Sequence, residues 1–474
     1  MSMLLRKAQT LFEAQRLGEE LQSWNLRRRD TDCDASGGYR GQYETQRELI
    51  TAEVAAALAA VREQASNLSA AGASAGEVYE RLARIDRQII WIRYAWDFYR
   101  LRFDQRDDPA LAAVLKAADE VTWSCFKPAF RKAGVKRPPA PLPCIELDYA
   151  PSTLLSTHAH VLERPNDAEE GPLTDFFATL PVPLLRLPPT VVTCPWNLAI
   201  IAHEAGHAVY PHVTEGGGFP GALQAWIEAA VSRAGGDSEE QARWGTWAIE
   251  IFADSHAVLM MGSGAVWTIA QLEFGTEALM NARRSHYPSA RVRLNLLVRF
   301  AERAGLINTG SALESLGLRE RIESTSALDA AIAEEVSRLA VIQLPGQRES
   351  LAEAVAFRVS DFESGDAQRA SPVEEWSRAL LGIRPKSDET ELRSARLVTA
   401  GAVRAACDLA RKGEDDRSEL AALCKAAVER IARCAEAGKR AAPAAPRPAA
   451  GGLARRLLDA TDEQLSLGAT AVGY

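Results

Sequence analysis

Histidines 203 and 207, in the run AIIAHEAGHAVYPHV (199–213), are the residues whose types and spacing most directly suggest chemistry. Four apart in a helix, they lie on one face, so both rings can aim a nitrogen at one ion. Glu204 follows the first histidine. There a carboxylate sits beside a bound metal without ligating it and can take a proton from a metal-bound water. Imidazoles suit zinc, and a catalytic zinc takes three protein ligands and keeps a fourth position open. The competing reading is an amphipathic core helix that carries histidines, so a second segment has to supply the third ligand.

That segment is WAIEIFADSHAV, 247–258, where Glu250 and Asp254 are four apart on a helix that is otherwise mostly apolar. Acids on such a surface are costly unless paired or metal-bound. Glu250 can supply the third ligand, and Asp254, one turn later, can accept the free N–H of a metal-bound histidine. On its own the pair could also be a solvent-facing acidic face. The other histidines are not expected to ligate. His212 follows Pro211 outside the helix, and His256 points away from Glu250. His158 and His160, in STHAH, have no third ligand nearby.

HEAGH followed by EIFAD resembles the H-E-x-x-H … E-x-x-x-D pattern of the gluzincin metallopeptidases, and its E-x-x-A-D form is similar to that of the prenyl-protein endopeptidases and their bacterial relatives. The resemblance covers about 190–297. It implies a zincin-like fold, with zinc on His203, His207 and Glu250, Glu204 as general base and Asp254 behind a histidine. Those families also carry a downstream His-Pro segment ending in arginine. SHYPSARVRLNLL, 285–297, is similar, with Tyr287 inserted between His286 and Pro288 and Arg293 at the matching arginine. By analogy His286 or Tyr287 would hydrogen-bond the oxyanion during hydrolysis. The sequence departs from the pattern in that interrupted His-Pro step, in a longer gap between His207 and Glu250, and in lacking the membrane helices of the endopeptidases.

The elements that must hold these residues read as mostly helical. From Val78 an apolar seam runs through Leu82, Ile85, Ile89, Ile92, Trp96, Tyr99 and Phe103 in steps of four and three. The preceding QRELITAEVAAALAAVREQA is also helical, and SAAGASAG between them makes an antiparallel hairpin. A third helix is expected over 109–133. The proline-rich VKRPPAPLPCIELDYAPS looks like a domain boundary, and the short runs CIELDY, VPLLRL and TVVTC after it are the source of a small sheet. VPLLRL is a candidate cleft-edge strand that pairs with an extended substrate. Pro195 suits a first helical turn and Pro211 ends the histidine helix. The glycine-rich TEGGGFPGA lacks the Lys-Ser/Thr of a phosphate loop and reads as a connection. Helices are expected over 221–234 and 238–260 and through the alanine-rich 300–440. The low-complexity AAPAAPRPAAGG (441–452) links to a short tail.

The expected architecture is therefore mainly α with a small β-sheet: a helical domain at 1–138, a zincin-like α+β metallopeptidase domain at 139–300, a helical domain at 301–440, and a linker and tail at 441–474. A net charge of −8 over 474 residues argues against a nucleic-acid partner. No apolar run is long enough to span a bilayer, and there is no secretory signal pattern. Seven scattered cysteines without a CxxC pair fit a reducing cytoplasm. The expected function is zinc-dependent hydrolysis of peptide bonds, with narrow specificity for a protein or peptide substrate. The helical arms would restrict access or dock a regulatory protein. The alternatives are a non-catalytic scaffold in which zinc ties two helices, and a zinc amidohydrolase acting on a small amide.

Overall fold

The structure is a computed structural model that describes residues 3–32, 42–68, 74–130, 138–148, 150–154, 182–213, 219–282, 284, 287–306, 322, 325–343, 350–363, 370–383, 394–412 and 417–434. It is mainly α with one small sheet, as expected. The chain divides into two compact units: Met1–Asp108 with Leu154–Leu184 and Lys439–Tyr474, and Pro109–Thr153 with Leu185–Gly438.

In the first unit α1 (Met3–Asp32), α2 (Gln42–Asn67) and α3 (Ala75–Asp104) pack on one another. Ser74 starts α3 through a capping box with Glu77, each satisfying a backbone N–H that the first turn leaves open. All eight positions of the seam from Val78 to Phe103 are buried. The aromatic residues there are packing elements: Trp24 meets Trp96 edge-on with centroids 4.7 Å apart, and its indole N–H donates to Asp104 at 2.7 Å.

The second unit contains α4 (Pro109–Phe126), α5 (Ile201–Val209), α6 (Phe219–Arg233), α7 (Ser238–Thr246), α8 (Ala248–Met261), α9 (Ser263–Glu273), α10 (Ala290–Arg303), α11 (Ala327–Val336), α12 (Pro372–Leu380), α13 (Ala395–Lys412) and α14 (Arg417–Arg433). This division differs from the four stretches read from the sequence. Residues 109–138 fall in the second unit because the apolar face of α4 packs on α5, α13 and α14. Residues 185–300 and 301–438 share that unit as well. The prolines near 138 interrupt the helical pattern without separating cores.

Three strands, β1 (Leu142–Ile145), β2 (Ser152–Leu154) and β3 (Leu184–Leu187), form a sheet in the order β1-β3-β2. TVVTC does not add a strand. Thr190–Thr193 forms one helical turn after Pro188 and Pro189, closed by Cys194 N–H on Thr190 O at 2.8 Å. VPLLRL does form β3, but between two partners, so it has no free edge to offer a substrate; β2 is an edge strand. The helix expected over 238–260 breaks at Trp247 (φ −89°, ψ 4°), where α7 gives way to α8. His158, His160, most of the glycine-rich loop and the linker and tail after 441 lie outside the described residues.

Candidate metal centre

The centre is built where α5 crosses α8. Pro195 opens a 3-10 turn, Pro195–Ile200, that runs straight into α5, and a second such turn, Tyr210–His212, closes it. The two helices approach unusually closely at Gly206: a Cβ there would lie 2.8 Å from the Cα of Ala253. The glycine of HEAGH and the alanine of EIFAD thus meet, and their smallness brings the polar residues of the two motifs within reach of each other.

His203, His207 and Glu250 converge, with one ligand atom from each lying within 4.8 Å of the others. The two Nε2 atoms are 3.1 Å apart; Glu250 Oε2 is 3.3 Å from His203 Nε2 and Oε1 is 3.5 Å from His207 Nε2. His203 Nδ1 lies 2.8 Å from Asp254 Oδ1. An ionised carboxylate only accepts, so Nδ1 carries the proton and Nε2 presents a lone pair toward the cluster. Glu250 Oε2 is buried without a hydrogen bond of acceptable geometry. Lone pairs facing one another in a buried space need a positive charge between them.

The surrounding charges make the same demand. Asp254 receives both Nε and Nη2 of Arg293, at 2.9 and 2.8 Å, and Arg293 Nη1 donates to Glu273 Oε1 at 2.8 Å. Arg284 pairs with Glu273 from the other side at 2.9 Å. Asp254 and Glu273, both buried, pair with Arg293 and Arg284, and Glu250 adds a further buried carboxylate beside the two histidines, a local excess of negative charge that a cation would offset. A positive charge is favoured at that point: burial opposes a charged His203, but Asp254 and Glu250 outweigh it and push the imidazole up to about 10. Glu250 is held well below the usual carboxylate range by the two histidines despite its burial. Asp254 is lowered by Arg293 and His203 against the same opposing burial. The residues therefore fit a metal ion.

Glu204 stands apart from the ligand group. Its Oε2 accepts a 2.7 Å hydrogen bond from the hydroxyl of Thr153, on strand β2, and its backbone carbonyl lies 3.1 Å from the same oxygen. Tyr287 lies beneath Arg293, whose Cζ is 5.3 Å from the ring centre. Burial raises its phenol, the charge of Glu250 adds to this, Arg293 opposes it, and Glu204 and Asp254 contribute further. Tyr287 is thus a protonated donor in the field of the site's carboxylates. His286 lies outside the described residues.

The other described histidines stay out of the cluster. His212 packs against Phe130, with centroids 6.3 Å apart. His256 is fully buried, and its Nδ1–H donates to Ala202 O at 2.9 Å, tying α8 to α5. Sequence reasoning did not find Thr153, Glu273 or Arg284. Glu273 had a signal, as an acid ending a helix that buries Val266, Ile269 and Ala270. Thr153 had none, since its role comes from which strand lies against α5. Among the described residues no helix is long and apolar enough to cross a membrane. Compared with protein-family models, curated proteins and solved structures, the chain matches none of them.

Proposed function

We propose that the chain is a zinc-dependent metallopeptidase of the gluzincin type, acting on a protein or peptide. The observation that carries the reading is the division of roles on α5: His203 and His207 converge with Glu250, while Glu204 is turned to Thr153 and left out of the ligand group. Two imidazole nitrogens and a carboxylate oxygen form a donor set suited to zinc. Bound there, zinc would acidify a coordinated water and polarise a scissile carbonyl. Glu204, steadied by the Thr153 hydroxyl, takes a proton from the attacking water and passes it to the leaving amine. Tyr287, protonated beside Arg293, is the described residue suited to donate to the developing oxyanion. Asp254 keeps His203 in the tautomer whose Nε2 is free, and Arg293 with Glu273 keeps Asp254 in place. The scattered cysteines agree with a cytoplasmic location.

A second reading, a metal that ties α5 to α8 without catalysis, is favoured by burial: His203, Glu204, His207 and Glu250 are each at most 9% exposed. A structural site has no use for Glu204. Zinc content and peptide cleavage of the parent and of Glu204→Gln separate the two. The peptidase reading expects zinc in both proteins and cleavage strongly reduced in the variant; zinc in both with no cleavage by either, across a broad peptide library, supports the scaffold.

A further inference from the structure

Two cysteines outside the metal centre are brought together by elements distant in the sequence. Cys424, on α14, donates its thiol to the carbonyl oxygen of Thr193 at 2.8 Å. That oxygen is three bonds from the Cα of Cys194, so bond lengths alone place the Cys424 sulfur within about 7 Å of that carbon. Cys194's own sulfur is two bonds from the same carbon, so closing an S–S bond of about 2.05 Å needs side-chain rotation and a shift of no more than a few ångströms. Burial, and then the nearby Cys194, raise the Cys424 thiol above its usual value, a second sign that the two groups are close. Both are half-buried, whereas Cys125, Cys144, Cys407 and Cys434 are buried. Cys194 also occupies a joint, with φ −128° and ψ 71°, between the helical turn Thr190–Thr193 and the 3-10 turn Pro195–Ile200. No regular helix dictates the direction of its side chain.

We propose that Cys194 and Cys424 are a modification site that closes to a disulfide in the presence of a peroxide or a small disulfide oxidant, fastening α14 to the segment that leads into the metal helix. This is independent of the peptidase reading. With hydrogen peroxide, one thiolate attacks a peroxide oxygen, the O–O bond breaks and water leaves, giving a sulfenic acid. The second thiolate attacks that sulfur and the sulfenic oxygen departs as a second water. The two thiols together lose two electrons and two protons, and the peroxide is reduced to water.

The test is made on the full chain in its native state: mild hydrogen peroxide, alkylation under denaturing conditions, digestion, and mass spectrometry with and without reductant. The expected result is a fall from seven free thiols to five and a reductant-sensitive peptide pair joining Cys194 to Cys424. Cys194→Ser and Cys424→Ser should each abolish that pair and leave the remaining partner open to alkylation. The unmutated protein alone decides the outcome, so misfolding of a variant does not obscure it. A pair joining different cysteines, oxidation of either residue alone to sulfinic acid, or both thiols still alkylated while others have oxidised would overturn the proposal.

Discussion

Asp254 does more for the metal centre than its place outside the ligand group suggests. It is 1% exposed, orients His203 through a 2.8 Å contact and receives two hydrogen bonds from Arg293. Replacing it by asparagine keeps the shape but removes the charge, leaving Arg293 short of an anion and His203 free to take the wrong tautomer. Partners that orient metal-bound histidines typically govern about 10–100-fold of metal affinity, and breaking a buried ion pair costs about 3–5 kcal/mol. Asp254→Asn should therefore weaken zinc binding by about one to two orders of magnitude, read by competition with a chromophoric chelator, and should lower the melting temperature of the metal-free protein. Unchanged affinity would mean that His203 is oriented by something else. The pairs that converge here, His203 with His207 and Glu250 with Asp254, were legible in the sequence because i, i+4 spacing projects each pair from one face of its helix. Thr153 was not, because a threonine in an ordinary edge strand carries no mark of its partner.

Between elements, the decisive feature is the contact of α5 with α8. Gly206 has helical neighbours and no unusual φ, so its value lies in having no side chain where Ala253 presses on it. Gly206→Ala should force the helices apart, costing about 1–3 kcal/mol of stability, and should weaken zinc binding because His207 and Glu250 sit on opposite sides of that contact. Gly221→Ala, on α6, is the control: nothing lies within 4 Å of its added Cβ, so the change should be neutral or stabilising by about 0.5–1 kcal/mol. Urea denaturation and chelator competition on both variants check this; equal behaviour would mean that the close contact does not hold the two helices in place. The apolar seam of α3 was legible because side-chain spacing records its buried face. The strand order was not, since VPLLRL reads equally well as a central or an edge strand.

For the molecule as a whole, His256 sets an acid limit on stability. Burial holds its pKa down to about 4, with Arg396 and His203 adding to the shift, and its hydrogen bond to Ala202 opposing it. An unfolded chain would protonate it near 6.5. Above that pH both states are neutral and the full contribution is present. As pH falls from about 6.5 toward 4 the unfolded state gains a proton that the folded state refuses, and stability drops by an amount on the order of 3 kcal/mol. Denaturation of the parent and His256→Gln across that range should show the parent's advantage shrinking toward acid; a constant gap would contradict it. The division into units was the part of the fold least visible in the sequence, because prolines mark where helices stop and leave open which cores those helices join. The cluster of His203, His207 and Glu250, served by Glu204, is tested most directly by peptide-library cleavage with zinc-loaded parent and Glu204→Gln proteins, with zinc quantified in the same samples. One zinc per chain is expected in both, with cleavage reduced by about 10²–10⁴-fold in the variant. Equal cleavage by the two proteins, or cleavage by a parent that carries no metal, would contradict it.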